Sequence, residues 1–405
     1  MFMILLFHFE IQKVVFYLFL VYNCALKLSG RTSVSKTISL WGQSLYRQFS
    51  LMLANQPKLG YYLHPLLNWN KPALHPDYHS ARIVDFCWET DQMLSVWLEP
   101  ASSWVGFTPG QHLLVTMLHQ GRYISRSFSI SSSSAVFARQ KQIRISCRIQ
   151  PQGEFTKALA AEMPKLTHLS VSDAMGDFVL EPKADTALEQ SIVMVAAGSG
   201  ITPLWSMLSS LRCWTSPVVL FYCVKNAAQA AFLTELKLLA AKQPLFELQL
   251  IETESAGRLN LVRQLKAKDG FSLTKAHYYL CGPAAMSRQY KDDLMQQGVP
   301  STVIHAELFG LAVTAAEGPV KQALFIQQGQ VTTVEAAAGV PLLQAAEHQG
   351  LTPRFGCRIG VCYQCVCQKK SGQVLNLRTG QISGDGPEQI QLCISAAHSN
   401  LQIEL

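Results

Sequence analysis

The chain has 405 residues, 11 cysteines and a formal net charge of +7 at pH 7, and this length allows two or three domains with cores of their own. The odd cysteine count and the wide spacing of most cysteines exclude a small disulfide scaffold and favour a reducing compartment, the cytoplasm. No run of five or more like charges occurs, so we expect no nucleic-acid partner.

Residues 1–30 are strongly apolar but are interrupted by His8, Glu10 and Lys13. Their longest uncharged run is shorter than the roughly 20 residues of a membrane-spanning helix, and they lack the positive start of a secretory signal. Three interpretations stay open: an interfacial anchor that associates with a membrane surface, a helix packed on the body, or translated sequence upstream of the true start. We favour the last, because Met52 offers a later start and no chemical site precedes residue 75. Residues 31–78 form a lead region.

The rest of the chain changes its periodicity twice. From residue 79 to 184, short apolar segments with period two lie between glycines and prolines, which predicts an antiparallel β-barrel. From residue 185 to 314, apolar strands alternate with amphipathic helices, which predicts a parallel α/β sheet. A linker at 315–319 leads to a third unit at 320–405, where a hairpin and a helix precede a cysteine-rich loop.

A glycine turn follows the first strand of the α/β region, in "AAGSGITP". Gly198 and Gly200 lie where an apolar strand becomes a helix, and glycines there let backbone N–H groups approach a pyrophosphate. Pro203 occupies the place of the third glycine of G-x-G-x-x-G, so this is not the usual Rossmann fingerprint. The turn is therefore either a nucleotide site or an ordinary strand-to-helix corner.

The barrel carries "RSFS" at Arg126 to Ser129, followed by "GEFT" at Gly153 to Thr156. A buried arginine can hold a phosphate with two hydrogen bonds, and a serine hydroxyl can bind the edge of a flavin ring. Taken alone, an arginine beside serines is also typical of a surface strand.

Six short motifs, in this order and spacing, resemble the ferredoxin–NADP reductase superfamily over residues 80–312. They are "PGQH" (Pro109 to His112), "RSFS", "GEFT", "GSGITP" (Gly198 to Pro203), "CGP" (Cys281 to Pro283) and "AELFG" (Ala306 to Gly310). The resemblance implies a flavin-binding barrel, with FAD favoured over FMN, followed by an NAD(P)-binding domain.

The resemblance also implies roles for particular residues. Arg126 would hold the flavin phosphates, and Ser127, Phe128 and Ser129 would lie at the flavin, with the Ser129 hydroxyl near its N5 atom. Phe128 replaces the usual tyrosine, keeping the ring and losing the hydroxyl. The flavin pyrophosphate would be cradled by Gly153, Glu154, Phe155 and Thr156.

For the nicotinamide nucleotide, the implied contacts are Gly198, Ser199, Gly200, Thr202, Pro203, Gly282 and Pro283. Cys281 would lie near the nicotinamide ring, while Glu307 and Phe309 close the flavin face. The implied catalytic set is Ser129, Cys281 and Glu307.

Closely spaced cysteines in "FGCRIGVCYQCVC" are compatible with a disulfide, a zinc site, a redox dithiol or an iron–sulfur cluster. Cys357, Cys362 and Cys365 follow the pattern C-x₄-C-x₂-C, and 27 residues separate Cys365 from Cys393, which is the spacing of plant-type [2Fe–2S] ligands. Structural zinc generally uses two short cysteine pairs, and this loop has one. We therefore predict a [2Fe–2S] cluster, with Cys367 as a plain thiol beside it.

Residues 320–405 thus resemble a plant-type ferredoxin domain of the α+β, β-grasp class, although Tyr363 replaces a common glycine. The order of barrel, nucleotide domain and ferredoxin resembles reductases that feed oxygenases and membrane fatty-acyl desaturases. "GQVLNL" and the "TG…IQLC" tail are most similar to the desaturase partners. The alternatives are a reductase for an aromatic-ring or demethylating oxygenase, and an electron-carrying module that no longer oxidises NAD(P)H.

Two sets of basic residues predict specificity. Lys225 and Arg258 are candidates for binding a ribose 2′-phosphate, which favours NADPH over NADH. The ferredoxin region carries Lys321, Arg354, Arg358, Lys369, Lys370 and Arg378. Four of these charges flank the cluster loop, so we expect an acidic docking face on the outgoing partner, with Arg358 as a contact.

Overall fold

The computed structural model describes residues 75, 78–150, 153–180, 191–211, 214, 216–309, 318–327, 329–358, 360 and 363–405. The apolar segment 1–30 and nearly all of the lead region 31–78 lie outside the described residues. So do the predicted boundary at 184/185 and residues 315–317 of the predicted linker. No helix within the described ranges combines the length and the hydrophobicity that a bilayer crossing requires.

The first domain is an antiparallel sheet of six strands: β1 (His79–Thr90), β2 (Met93–Pro100), β3 (His112–His119), β4 (Arg122–Ser129), β5 (Ile143–Arg148) and β6 (His168–Val171). They lie in the order β4-β3-β6-β1-β2-β5. A bridge between Ile130 and Ile145 joins the two edge strands, so the sheet closes into the predicted barrel. Alternate apolar side chains fill its core, among them Val96, Leu98 and Leu113. Helices α1 (Ser134–Gln140) and α2 (Glu154–Glu162) follow β4 and β5.

The second domain is a parallel sheet of five strands: β7 (Ser191–Ala197), β8 (Val218–Val224), β9 (Phe246–Glu252), β10 (Ala276–Pro283) and β11 (Ile304–Phe309). Its order is β11-β10-β7-β8-β9. The connections contain α3 (Ile201–Ser210), α4 (Leu233–Lys242), α5 (Thr253–Ala256), α6 (Leu261–Lys266) and α7 (Ala284–Gln296). Along β7, Met194 packs on the α3 and α4 side and Val195 on the α6 and α7 side. Both faces are covered, as a parallel sheet requires.

The third domain contains β12 (Lys321–Gln327), β13 (Gln330–Ala336), α8 (Leu342–His348), β14 (Val366–Ser371), β15 (Val374–Asn376), β16 (Glu388–Gln391), β17 (Ser395–Ala397) and β18 (Leu401–Glu404). Five strands form a mixed sheet in the order β13-β12-β18-β14-β16, and β15 pairs with β17. Leu342, Leu343 and Ala346 of α8 pack into the same core as Phe325 and Ile403. The predicted fold class is confirmed for all three domains.

Lys369 lies on β14 with a fully buried side chain. Its Nζ donates to Gly372 O at 2.6 Å, to Ser383 Oγ at 3.0 Å and to Gly384 O. It also lies 2.8 Å from Glu388 Oε1. One buried ammonium therefore ties the β14–β15 turn to the loop before β16.

We expect Lys369→Met to lower the free energy of unfolding of the third domain by about 3 kcal/mol, because it removes a buried ammonium that donates to two carbonyls and one hydroxyl and faces the Glu388 carboxylate. Urea unfolding followed by the visible absorbance of the predicted cluster measures this change. The control is the neighbouring Lys370→Met, since Lys370 is an exposed partner of Glu404, and surface ion pairs contribute about 0–1 kcal/mol. Equal effects of the two substitutions would contradict the assignment.

Candidate active site and cluster loop

A cavity of about 800 Å³ lies where the three domains meet. The barrel contributes most of the predicted flavin residues, namely Arg126, Ser127, Phe128, Ser129, Gly153, Phe155 and Thr156. The second domain contributes Ser199, Thr202 and residues 305–309, and the third domain contributes Cys357, Arg358, Gly360, Tyr363 and Arg378. Residues far apart in the chain thus line one cavity wall together.

Cationic groups and a helix start lie at one part of this wall. Within the described residues, the Arg126 guanidinium donates one hydrogen bond, to Ser125 O at 3.2 Å. Burial lowers the pKa of Arg126, and the nearby Arg358 guanidinium lowers it further. Gly153 caps α2, and a Cβ there would lie only 2.8 Å from Thr156 Oγ1. This half-buried cation beside a helix N-terminus fits a phosphate group.

A carboxylate lies elsewhere on the same wall. Glu307, on β11, is contributed by the nucleotide domain and meets two barrel residues. Its Oε2 accepts from Ser129 Oγ at 3.5 Å, and its Oε1 lies 3.3 Å from His112 Nδ1. Both distances are long for hydrogen bonds, as is common in catalytic sites without ligand.

A second cavity, of about 580 Å³, adjoins the first. Gly198, Ser199, Lys225, Arg258, Gly282, Pro283 and Phe309 line it, so it holds most of the residues predicted to bind nicotinamide nucleotide. Gly198 has a φ of 53°, which favours glycine. Ser199 and Phe309 line both cavities, so a ligand in one lies beside a ligand in the other.

Four of the residues predicted for the flavin and nucleotide sites line neither cavity: Glu154, Gly200, Pro203 and Cys281. Gly200 permits close packing, since a Cβ there would lie 2.2 Å from Cys281 O. Cys281 is fully buried, and burial raises the pKa of its thiol well above the usual value. Gly200 and Cys281 therefore pack against each other behind the lining of the second cavity.

The cysteine loop brings buried thiols together. Cys357, Cys365 and Cys393 are each at most 3% exposed, and Cys362 lies outside the described residues. Hydrogen bonds join these three thiols, since the one with Cys393 lowers the pKa of Cys365 and those with Cys357 and Cys365 raise the pKa of Cys393. Gly360 has a φ of 79°, and a Cβ there would lie 2.7 Å from two Ile394 methyl carbons. This donor set fits a cluster.

Burial raises the pKa of the Cys367 thiol to about 12, and this residue lies on β14, beyond the loop. Tyr363 has a φ of 56°, a conformation that costs a residue other than glycine about 1 kcal/mol. The glycine common in similar ferredoxins suits this position for that reason.

The structure corrects the expectation for one of the basic residues around the loop, because Lys369 is fully buried and its charge is not available to an outgoing partner. Arg358 lines the larger cavity, pairs with both carboxylate oxygens of Glu347 at 2.8 and 2.6 Å, and stacks on Phe355. Its side chain stays 33% exposed, and Arg354 is exposed.

Sequence reasoning missed several cavity residues. Arg148 lines both cavities and donates to Gln92 Oε1 at 2.8 Å, and nothing in its local sequence distinguishes it. His112 had a signal, because "PGQH" was among the recognised motifs, but its side chain received no role.

Three family models match the chain, one within each of the three domains. The oxidoreductase FAD-binding domain matches residues 84–180, the oxidoreductase NAD-binding domain matches residues 194–292, and the 2Fe-2S iron-sulfur cluster binding domain matches residues 325–397. The chain therefore binds FAD, NAD(P)H and a [2Fe–2S] cluster.

Two curated relatives match most of the chain. The chain is 31% identical over 327 residues to an NADPH oxidoreductase of Mycobacterium tuberculosis (strain ATCC 25618 / H37Rv), covering 80% of this chain and 83% of the relative. It is 28% identical to the ferredoxin reductase component of 3-ketosteroid-9-alpha-monooxygenase of Mycolicibacterium smegmatis, covering 68% and 80%.

The solved structure of phthalate dioxygenase reductase has the same fold, with a TM-score of 0.57 at 21% identity, covering 81% of this chain and 98% of that one. These matches confirm that the chain is an oxidoreductase. It belongs to the ferredoxin–NADP reductase superfamily, as a member that carries FAD, NAD(P)H and [2Fe–2S] domains on one chain.

Proposed function

We propose that the chain takes electrons from NADPH and passes them through FAD and the cluster to an oxygen-activating iron enzyme. The observation that carries the proposal is the shared wall of the larger cavity, where Arg126 and Cys357 line one space. Bound FAD accepts a hydride and releases its electrons singly, and the cluster carries one electron at a time. The chain supplies the geometry that brings the three groups together.

The residues that line the larger cavity have proposed roles. Arg126 and the start of α2 hold the flavin phosphates, Phe128 packs on the flavin, and Ser129 and Glu307 lie at the flavin edge. Phe309, common to both cavities, separates the flavin from the nicotinamide until the nucleotide binds. Cys357, Cys362, Cys365 and Cys393 ligate the cluster.

Coenzyme preference is proposed to come from Lys225 and Arg258, which both line the second cavity. If they bind a 2′-phosphate, wild type should prefer NADPH in kcat/KM. The double variant Lys225→Ala/Arg258→Ala should lose roughly tenfold with NADPH for each contact removed, while use of NADH is unchanged.

The control for this measurement is Lys242→Ala, an exposed lysine at the end of α4, which should leave both coenzymes unaffected. Equal kcat/KM for NADPH and NADH in the wild type would contradict the assignment of these two residues.

A membrane fatty-acyl desaturase is the proposed acceptor, supported by the "GQVLNL" and "IQLC" segments of the ferredoxin domain. It would bring the chain to the membrane peripherally, through the partner. An aromatic-ring or demethylating oxygenase is the second candidate, favoured by the relative that serves a ketosteroid monooxygenase.

The test supplies the chain and NADPH to a purified desaturase in vesicles and, separately, to the oxygenase component of a ring-hydroxylating system. Product formed only by the desaturase supports the first candidate. Product formed only by the oxygenase rejects the first candidate and leaves the second.

A further inference from the structure

His112 is held in place by its backbone and by a glycine. It begins β3, directly opposite Ser129 on β4, and its backbone N–H donates to Met175 O at 3.0 Å. The imidazole packs against Gly176, where a Cβ would lie 2.8 Å from Nδ1 and Cε1. Only 6% of the residue is exposed, so packing fixes the position of the imidazole ring.

The ring faces a carboxylate from the other domain. Glu307 lies beside Cys281 in the register of β10 and β11, and its side chain is 14% exposed. Its Oε1 lies 3.3 Å from His112 Nδ1, and its Oε2 lies 3.5 Å from Ser129 Oγ. Each carboxylate oxygen thus has one barrel residue as its neighbour.

The second ring nitrogen decides the tautomer. His112 Nε2 is buried and has no hydrogen-bond partner in the described part of the chain. A proton on Nε2 would be a buried donor without an acceptor, which costs about 1–3 kcal/mol. A proton on Nδ1 faces Glu307 Oε1 instead, and Nε2 then carries a lone pair and no proton. The favoured tautomer therefore directs its single N–H toward the carboxylate.

We propose that His112 is a positioning residue that holds the Glu307 carboxylate opposite Ser129 through its Nδ1–H. The inference rests on the proposed function, in which Glu307 and Ser129 lie at the flavin edge. His112 also lines the larger cavity. It acts through Glu307, and it links the barrel to the nucleotide domain at the point where both contribute to the site.

The test is a double-mutant cycle on the FAD-loaded, full-length chain. Flavin reduction by NADPH is followed in a stopped-flow instrument for His112→Leu, Glu307→Gln and the double variant. The FAD midpoint potential, the FAD dissociation constant and the melting temperature are measured for each. His112→Asn and His112→Gln complete the set, because the amide of Asn reaches the place of Nδ1 and that of Gln reaches the place of Nε2.

We expect His112→Leu to slow flavin reduction roughly tenfold, within the range of coupling between contacting residues. In the Glu307→Gln background it should have no further effect on the rate or on the potential. Asn should restore the rate and Gln should not. The FAD dissociation constant and the melting temperature should stay at wild-type values.

Three results would overturn the inference while the proposed role of Glu307 stands. The first is that His112→Leu slows flavin reduction equally in the wild-type and Glu307→Gln backgrounds, and the second is that Glu307→Gln slows the reaction but His112→Leu does not. The third is that His112→Leu binds FAD more weakly than wild type. A Glu307→Gln variant with wild-type rate and potential would instead reject the proposed role of Glu307, and the inference with it.

Discussion

Arg126→Ala should bind FAD roughly 100-fold more weakly than wild type, because two hydrogen bonds from a guanidinium to a phosphate contribute roughly 3 kcal/mol. The structure places this half-buried cation at the cavity wall, and its one described hydrogen bond goes to a backbone carbonyl. Its binding capacity is therefore largely unused before the cofactor arrives. Titration of FAD into the apoprotein, followed by quenching of flavin fluorescence, measures the change.

Two further variants serve as controls for the loss of FAD affinity in Arg126→Ala. Arg126→Lys keeps the charge and loses the planar fork, so its affinity should fall between those of wild type and Arg126→Ala. Arg139→Ala removes an exposed arginine at the end of α1 and should leave FAD binding unchanged. Wild-type FAD affinity in Arg126→Ala would show that the phosphate is held elsewhere.

Cys365→Ser should abolish electron delivery beyond the flavin while hydride transfer to the flavin survives. Cys365 is buried among the cluster thiols, on the third domain, and it takes no part in the walls of either cavity. NADPH-driven reduction of ferricyanide, which can take electrons from the flavin, should therefore persist. Reduction of cytochrome c or of the true acceptor should fall to background.

The control is Cys367→Ser, two residues further along the same segment. Its thiol is protonated at neutral pH, because burial raises its pKa to about 12, and it lies on β14. This variant should keep the visible bands of the cluster and both activities. A Cys365→Ser protein that still drove the acceptor at the wild-type rate would show that the cluster is not the exit.

The fold class of each domain and the presence of a [2Fe–2S] cluster were predictable because their signals are local. Alternation such as Val96 and Leu98 in β2 is visible within a few residues, and so is the spacing from Cys357 to Cys365. The motif order added the flavin and nucleotide residues, most of which the fold brings to two adjoining cavities.

The contacts between domains have no local signal, because they join distant parts of the chain, and the family resemblance implied only that Ser129 and Glu307 both lie at the flavin. Ser129 meets Glu307 across 178 positions, and no local pattern indicates that the two side chains face each other. Arg358 was predicted to contact the outgoing partner, and no local pattern showed that it also lines the larger cavity, close enough to Arg126 to lower the pKa of that residue.

Lys369 and Lys370 show a signal that was present and overlooked. Neighbouring residues of a strand point to opposite faces, so two successive lysines on β14 cannot both be exposed when one face is covered. The buried one needed partners, and those lie in loops that sequence reasoning did not place near it.

The central claim is that electrons move from NADPH to the cluster within a single chain. Anaerobic single-turnover mixing with NADPH tests it directly, with flavin bleaching and the cluster signal followed over a tenfold range of protein concentration. Because Cys357 and Arg126 line one cavity, the cluster should be reduced after the flavin at a rate independent of protein concentration. A cluster that stays oxidised, or a rate that rises in proportion to protein concentration, would contradict the account.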